Sequence, residues 1–212
     1  GILPTPVIGM VGLMEDVRRV LQPGFKKFGD VIALLGTTQD DLSISEYAAS
    51  VAGISTADMI ANGKVPELDL KRELAVQQAC LEAAEAGLLV SAHDCADGGL
   101  AVALAESCFS SLGKDVIGAD VDLKGTLHAT TLLFSESPSR IIISFDREAT
   151  DAIRRICETH NAPLAILGKV GGSQLRIAVN SEELIAADIA DLESTWRNAL
   201  SKSLKAEALV AG

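Results

Sequence analysis

Apolar residues recur along this chain in two rhythms, one suited to strands and one to helices. The run Asp30 to Leu35 is apolar at consecutive positions and stops at Gly36, which predicts a central strand covered on both faces. Leu88 to Ala92, Val116 to Leu123, Arg140 to Phe145, Leu164 to Leu167 and Gln174 to Val179 read as further strands. Thr5 to Leu13, entered through Pro4 and Pro6, predicts another at the start of the sequence, followed by a short helix from Glu15 to Leu21 before the break at Pro23–Gly24.

Helical spacing is clearest from Asp69 to Ala86, where Leu70, Leu74, Gln77, Leu81 and Ala84 share one stripe and Gly87 ends the run. Ser43 to Val51 carries capping-box spacing, with Ser43 as N-cap and Glu46 three residues on. The stretch from there to Pro66 is polar and irregular. Leu100 to Phe109 is apolar on nearly every face and should be deeply packed. Ala149 to Thr159 and Glu182 to Asp191 read as helices, with a helical tail through Trp196 to Leu204. Thr130 to Phe134 fits either element type. Strands alternating with long helices imply a layered α/β or α+β domain, and no tandem repeat interrupts the pattern.

Composition sharpens this picture in three places. With 212 residues the chain is long enough to bury a substantial core, and only 3% of it is aromatic, so that core is built from Ala, Val, Leu and Ile. A formal charge of -11 gives no general attraction to nucleic acid or to an anionic membrane, and no stretch has the apolar length of a membrane span. A phosphate-bearing ligand must therefore be held locally, by backbone N–H groups and one or two placed arginines. The four cysteines (Cys80, Cys95, Cys108 and Cys157) and three histidines are dispersed, which argues for free thiols in a reducing, intracellular setting and against a zinc site. The opening segment lacks both a basic leader and an initiator Met, as expected of a processed product or a piece of a longer protein.

Two segments have the residue types for chemistry. His93–Asp94–Cys95–Ala96–Asp97–Gly98–Gly99 joins an apolar strand to an apolar helix. Asp97 is placed to cap that helix, and the glycines allow tight curvature and close approach of the backbone to an anion. His93 can donate to a phosphate or carboxamide, with Asp94 holding a ligand or orienting the ring. The same residues also suit a plain cap and turn around an interior histidine, and the spacing is not that of a P-loop. The second segment, Leu133 to Arg140, reads LFSESPSR. Ser135, Ser137 and Ser139 supply hydroxyls, Arg140 a fork of donors for phosphate or carboxylate, and Glu136 an acceptor. An ordinary polar turn with a Glu136–Arg140 ion pair accounts for it equally. Gly168 to Gly172 is a glycine-rich connection between strands, and Asp120 and Asp122 read as strand-edge groups rather than a metal pair.

Four segments in order, Pro4–Val17, Gly29–Gly36, Val90–Ser107 and Leu133–Ser144, resemble phosphoribosylformylglycinamidine synthase, in the second half of its synthetase subunit. The superfamily includes aminoimidazole ribonucleotide synthetase. The resemblance covers nearly the whole chain. It implies an α+β fold of the PurM C-terminal domain type, a mixed sheet with helices on its faces, occupying residues 23–212, with residues 1–22 as the tail of a preceding N-terminal-type domain.

The activity implied is ATP-dependent conversion of formylglycinamide ribonucleotide, with glutamine, to formylglycinamidine ribonucleotide in cytoplasmic purine biosynthesis. ATP and Mg2+ would be bound mainly outside this chain. The partners implied are the absent N-terminal synthetase domains, a glutaminase subunit and a small accessory subunit; separately, an apolar strand from Pro4 to Leu13 without its neighbours would be covered by a second copy, a homodimer of the fragment. His93, Asp94, Asp97, Gly98, Gly99, Ser135, Glu136, Ser137 and Arg140 are implied in substrate-phosphate binding or cleft architecture. No catalytic or metal-ligating residue is implied here, so the isolated chain should be inactive. Two other readings stay open: a domain of aminoimidazole ribonucleotide synthetase, whose corresponding loop is richer in glycine, and a non-catalytic nucleotide-binding or assembly domain.

Overall fold

The computed structural model describes residues 8–14, 16–110 and 114–210, the side chains of 205–210 excepted. One seven-stranded sheet organises them. Its strands are β1 (Val31–Leu35), β2 (Leu89–Asp94), β3 (Ala119–Leu123), β4 (Ile141–Phe145), β5 (Leu164–Val170), β6 (Gln174–Val179) and β7 (Glu182–Asp188), in the spatial order β2-β4-β1-β5-β3-β6-β7. Only β3 and β6 run parallel; every other neighbouring pair is antiparallel. The helices are α1 (Glu46–Ser50), α2 (Thr56–Asn62), α3 (Leu70–Glu85), α4 (Gly99–Cys108), α5 (Ala129–Phe134), α6 (Thr150–His160) and α7 (Ile189–Val210). The mixed sheet flanked by helices is the α+β arrangement that the sequence implied.

β1 shows why. Ile32 and Leu34 point into one core, with Leu100, Leu104 and Cys108 of α4 and Leu132 and Leu133 of α5. Ala33 and Leu35 point into the other, with Val76 and Ala79 of α3 and Ile153 and Cys157 of α6. A strand with no polar side has to lie between two helical layers.

Several sequence expectations are corrected. Glu182–Asp188 is a strand, not the first part of a helix. Asn180 and Ser181 both take left-handed backbone angles (φ 51° and 73°), the geometry of a two-residue hairpin turn, and β7 folds back on β6. Residues with good helix propensity are overridden there by strand pairing. On α3 the buried stripe is Ala75, Val76, Ala79 and Ala83, while Leu70, Leu74 and Leu81 are exposed. Both stripes repeat with helical spacing, and the small residues permit the closer approach to α6 and the sheet.

Ser43 does not cap α1. Its hydroxyl accepts from the Lys64 N–H at 2.9 Å, and Ser45 is the N-cap. A short helix, α2, stands within the stretch read as irregular. Residues 8–13 form no strand, and the rest of the expected first strand lies outside the described residues. Of the expected helix after it, Glu15 lies outside the described residues, and the rest holds a single 3-10 turn, Val17–Arg19. Residues 130–134, ambiguous in sequence, are helical.

Candidate functional site

β1 and β2 end, and β4 begins, on the same edge of the sheet, since Leu35 and Asp94 both lie opposite Ile141. Three connections therefore meet there: residues 36–45 after β1, 95–98 before α4, and 135–140 before β4. Both segments singled out in the sequence belong to this cluster.

His93 and Asp94 are the last residues of β2 rather than loop residues. The His93 ring lies between two carboxylates, with Nε2 3.1 Å from Glu106 Oε2 and Nδ1 3.4 Å from Asp94 Oδ1. Glu106, on α4, had no local signal in the sequence to link it to His93.

Asp97 does not cap α4. Gly98 is the N-cap residue, in a left-handed conformation (φ 79°) that needs no side chain, and the Asp97 carboxylate is exposed and makes no hydrogen bond among the described residues. The oxygen at this helix start comes from elsewhere. Glu136 Oε1 accepts from the Gly98 N–H at 2.8 Å and from the Glu46 N–H, at the start of α1, at 2.7 Å. One carboxylate thus joins two helix N-termini, where the backbone dipoles favour negative charge. It does so in place of the ion pair with Arg140 that the sequence allowed.

Gly99 is small for a reason other than ligand approach. A Cβ built there would lie 2.6 Å from the Ser135 carbonyl oxygen and 2.8 Å from the Phe134 carbonyl carbon, so this glycine lets α4 press against the 134–135 backbone. Gly36, also left-handed (φ 93°), touches the Ser139 backbone in the same way.

Ser135, Ser137 and Arg140 are buried. Arg140, 3% exposed, donates from Nε to the Ser137 carbonyl (2.9 Å), from Nη2 to the Ser135 carbonyl (2.6 Å) and from Nη1 to Thr38 Oγ1 (3.1 Å). Ser135 Oγ accepts from the Asp41 N–H at 3.0 Å and donates to the Gln39 carbonyl at 2.7 Å, and Ser137 Oγ accepts from the Gln39 N–H at 2.8 Å. These bonds fasten the 135–140 turn to the 38–41 segment. The sequence reading of Arg140 as a fork turned outward to an anion gives way to one in which its fork is turned inward on the loop.

The 38–41 segment is the part of the cluster that sequence reasoning missed. Its one signal is a polar run directly after an apolar strand. Asp41 is 4% exposed, and its Oδ2 has no hydrogen-bond partner among the described residues. Nearby Cys95 is a poor nucleophile, since burial pushes its thiol up to about 11. Among the described residues no group of three His, Cys, Asp or Glu side chains is placed to hold a metal ion, and no helix is long and apolar enough to cross a membrane.

Comparison with known proteins adds the following. The family model for AIR synthase related protein, C-terminal domain, matches residues 27–180. The chain is 39% identical over 199 residues to the phosphoribosylformylglycinamidine synthase subunit PurL of Moorella thermoacetica, a match covering 94% of this chain and 26% of that subunit. It is 40% identical over 218 residues to the same subunit of Anaeromyxobacter dehalogenans, covering all of this chain and 27% of the relative. The chain therefore spans about a quarter of the length of the curated relatives it matches. Among solved structures, T. maritima PurL complexed with FGAR shares the fold, with a TM-score of 0.70 and 21% identity over 84% of this chain and 30% of that one.

Proposed function

Because this chain belongs to the AIR synthase related protein, C-terminal domain family, we propose that it is the C-terminal portion of an ATP-dependent phosphoribosylformylglycinamidine synthase. That enzyme converts formylglycinamide ribonucleotide to formylglycinamidine ribonucleotide. The observation that carries this reading is 39–40% identity to PurL subunits along nearly the whole chain. In this proposal catalysis belongs to a larger cytoplasmic assembly of N-terminal synthetase domains, a glutaminase subunit and a small accessory subunit. Residues 1–22 are the tail of the preceding domain and residues 23–212 the domain itself. Alone, the chain pairs with a second copy and has no amidotransfer activity.

ATP and Mg2+ belong to the proposed enzyme, but the residues described here do not fit them. They offer no acidic cluster for a cation, and Arg140 keeps its donors on protein oxygens. No step through the nucleotide is assigned to this chain.

Its own residues form a wall of the substrate cleft. His93, Asp94, Asp97, Gly98 and Gly99 form one continuous surface with the turn holding Ser135, Glu136, Ser137 and Arg140, joined to it by the Gly98–Glu136 hydrogen bond. A substrate phosphate reaches the Gly98 N–H when the Glu136 carboxylate moves off it, since both are anions competing for one donor. Ser135, Ser137 and Arg140 act through the shape of the turn.

The test is a chimera in which this chain replaces the matching quarter of the Moorella subunit, produced in a purine auxotroph lacking that subunit. Growth without purines is the expected result. A soluble, folded chimera that fails where the intact Moorella subunit succeeds would refute the assignment.

A further inference from the structure

β5 is paired with β1 from Val31–Lys169 to Leu35–Leu164, with a bulge that leaves Leu167 out of the register. Its other neighbour, β3, leaves it early: their pairing covers only Ala119–Val121 against Gly168–Val170, after which Asp122 and Leu123 stay with β6. The sheet splays at this point, and Leu164–Ile166 has a ladder partner on one side only. Every second N–H and C=O of that stretch faces the gap, and no other backbone partner reaches it among the described residues.

The gap is a cavity of about 410 Å³, within the range of small-ligand pockets (roughly 300–1,000 Å³). Leu34, Leu100 and Leu132 form part of its apolar wall, and it is reached beside Ile166, which is 38% exposed. Its one charged lining residue, Lys124, is tied to Asp122 and to Ser181 Oγ (2.9 Å). None of the nine residues assigned to the cleft lines it, although Thr38, which accepts from Arg140, stands in both walls.

We propose that this splay is a binding site for a neutral, planar heterocycle whose edge carries adjacent hydrogen-bond donor and acceptor groups. A flat ring entering in the plane of the sheet continues the β5 ladder with its edge and covers the leucines with its face. Neutrality follows from the lining, which has no unmatched charge to offset the burial of another. A through-running peptide strand suits the gap less well, because the gap closes where Val121 meets Gly168 and residues 124–127 line its other end. The inference rests on the sheet geometry and is independent of the function proposed above.

The test uses the 15N-labelled 212-residue chain titrated with adenine, uracil, indole and an acetylated Val-Thr-Val amide. Adenine or uracil should shift the Leu164–Leu167 amides saturably. Indole, a similar ring without the adjacent acceptor, should bind about tenfold more weakly, the effect of one lost hydrogen bond. Ala165→Trp and Thr126→Trp, both at exposed lining positions, should each weaken the ring by at least about tenfold; two variants are used so that a misfolded one leaves the other informative. No saturable shift at Leu164–Leu167 with either base overturns the proposal. So does indole binding as tightly as the bases, binding untouched by a folded Trp variant, or a response to the peptide alone.

Discussion

Three glycines with nearly the same left-handed backbone meet very different surroundings, so replacing each by Ala separates backbone strain from collision. Gly87, just past α3, has φ 70°, and a Cβ there meets nothing within 4 Å. Gly87→Ala should cost only the left-handed penalty, about 1–2 kcal/mol. At Gly98 (φ 79°) the Cβ lies 2.5 Å from Val102 Cγ2, which can turn away, and 2.9 Å from Val102 Cβ, which no rotamer moves. That adds a part of the usual overpacking cost, for a total of about 1–3 kcal/mol. At Gly99 (φ 70°) the obstacles are the backbone of Ser135 and Phe134, at 2.6 and 2.8 Å. No rotamer relieves them, and the turn that Arg140 fastens has to move with them. Gly99→Ala should lose about 2–5 kcal/mol. Urea unfolding of the three variants, compared at unchanged m, gives the order directly. A Gly99→Ala midpoint no lower than that of Gly87→Ala would show that α4 does not press on the 134–135 backbone.

Glu136→Ala should lose about 1–3 kcal/mol, since a charge-assisted acceptor is removed from two helix N-termini, and Glu136→Gln about half of that; hydrogen exchange at the Gly98 and Glu46 amides should quicken, and unchanged rates would mean the carboxylate holds neither. Burial raises the Asp30 carboxyl above its ordinary 3.8, so the folded state keeps this proton to higher pH than the unfolded chain. Stability relative to Asp30→Asn should therefore fall as pH rises from about 3.8 through the raised value, then level off; burial outweighs the nearby charges, of which Lys27 lowers the Asp30 carboxyl and Asp146 raises it. Parallel pH–stability curves would contradict this. Burial pushes the thiols of Cys95 and Cys157 up to about 11 and that of Cys108 to about 12, which leaves roughly one thiolate in a thousand or fewer at pH 8; in a Cys80→Ala variant, which removes the remaining half-buried thiol, dithiobis-nitrobenzoate should label slowly until denaturant is added, and immediate labelling of the folded variant would contradict the raised values.

The sequence by itself determined the elements whose patterns admit a single solution. β1, apolar at consecutive positions, fits only between two layers, and α4, apolar nearly all round, fits only inside. The ordered segments also marked out the family to which the chain belongs, and the two loops taken as candidate chemistry do meet at one edge of the sheet. What local pattern could not supply was the choice among partners. Two stripes on α3 have helical spacing, and packing against α6 selected the alanines over the leucines. Glu182–Asp188 has helical composition, and the Asn180–Ser181 turn with β6 made it a strand. In the site, Asp97 is next to the helix it was expected to cap, yet Glu136, 38 residues from Gly98, reaches that N–H. Arg140 turns inward because Thr38, 102 residues away, completes its set of acceptors. Short-range rules describe what a residue can do with its neighbours in the chain. Which of those options is realised depends on groups brought close only by the folded sheet, where a donor or acceptor cut off from water has to be matched by whatever the tertiary structure places beside it.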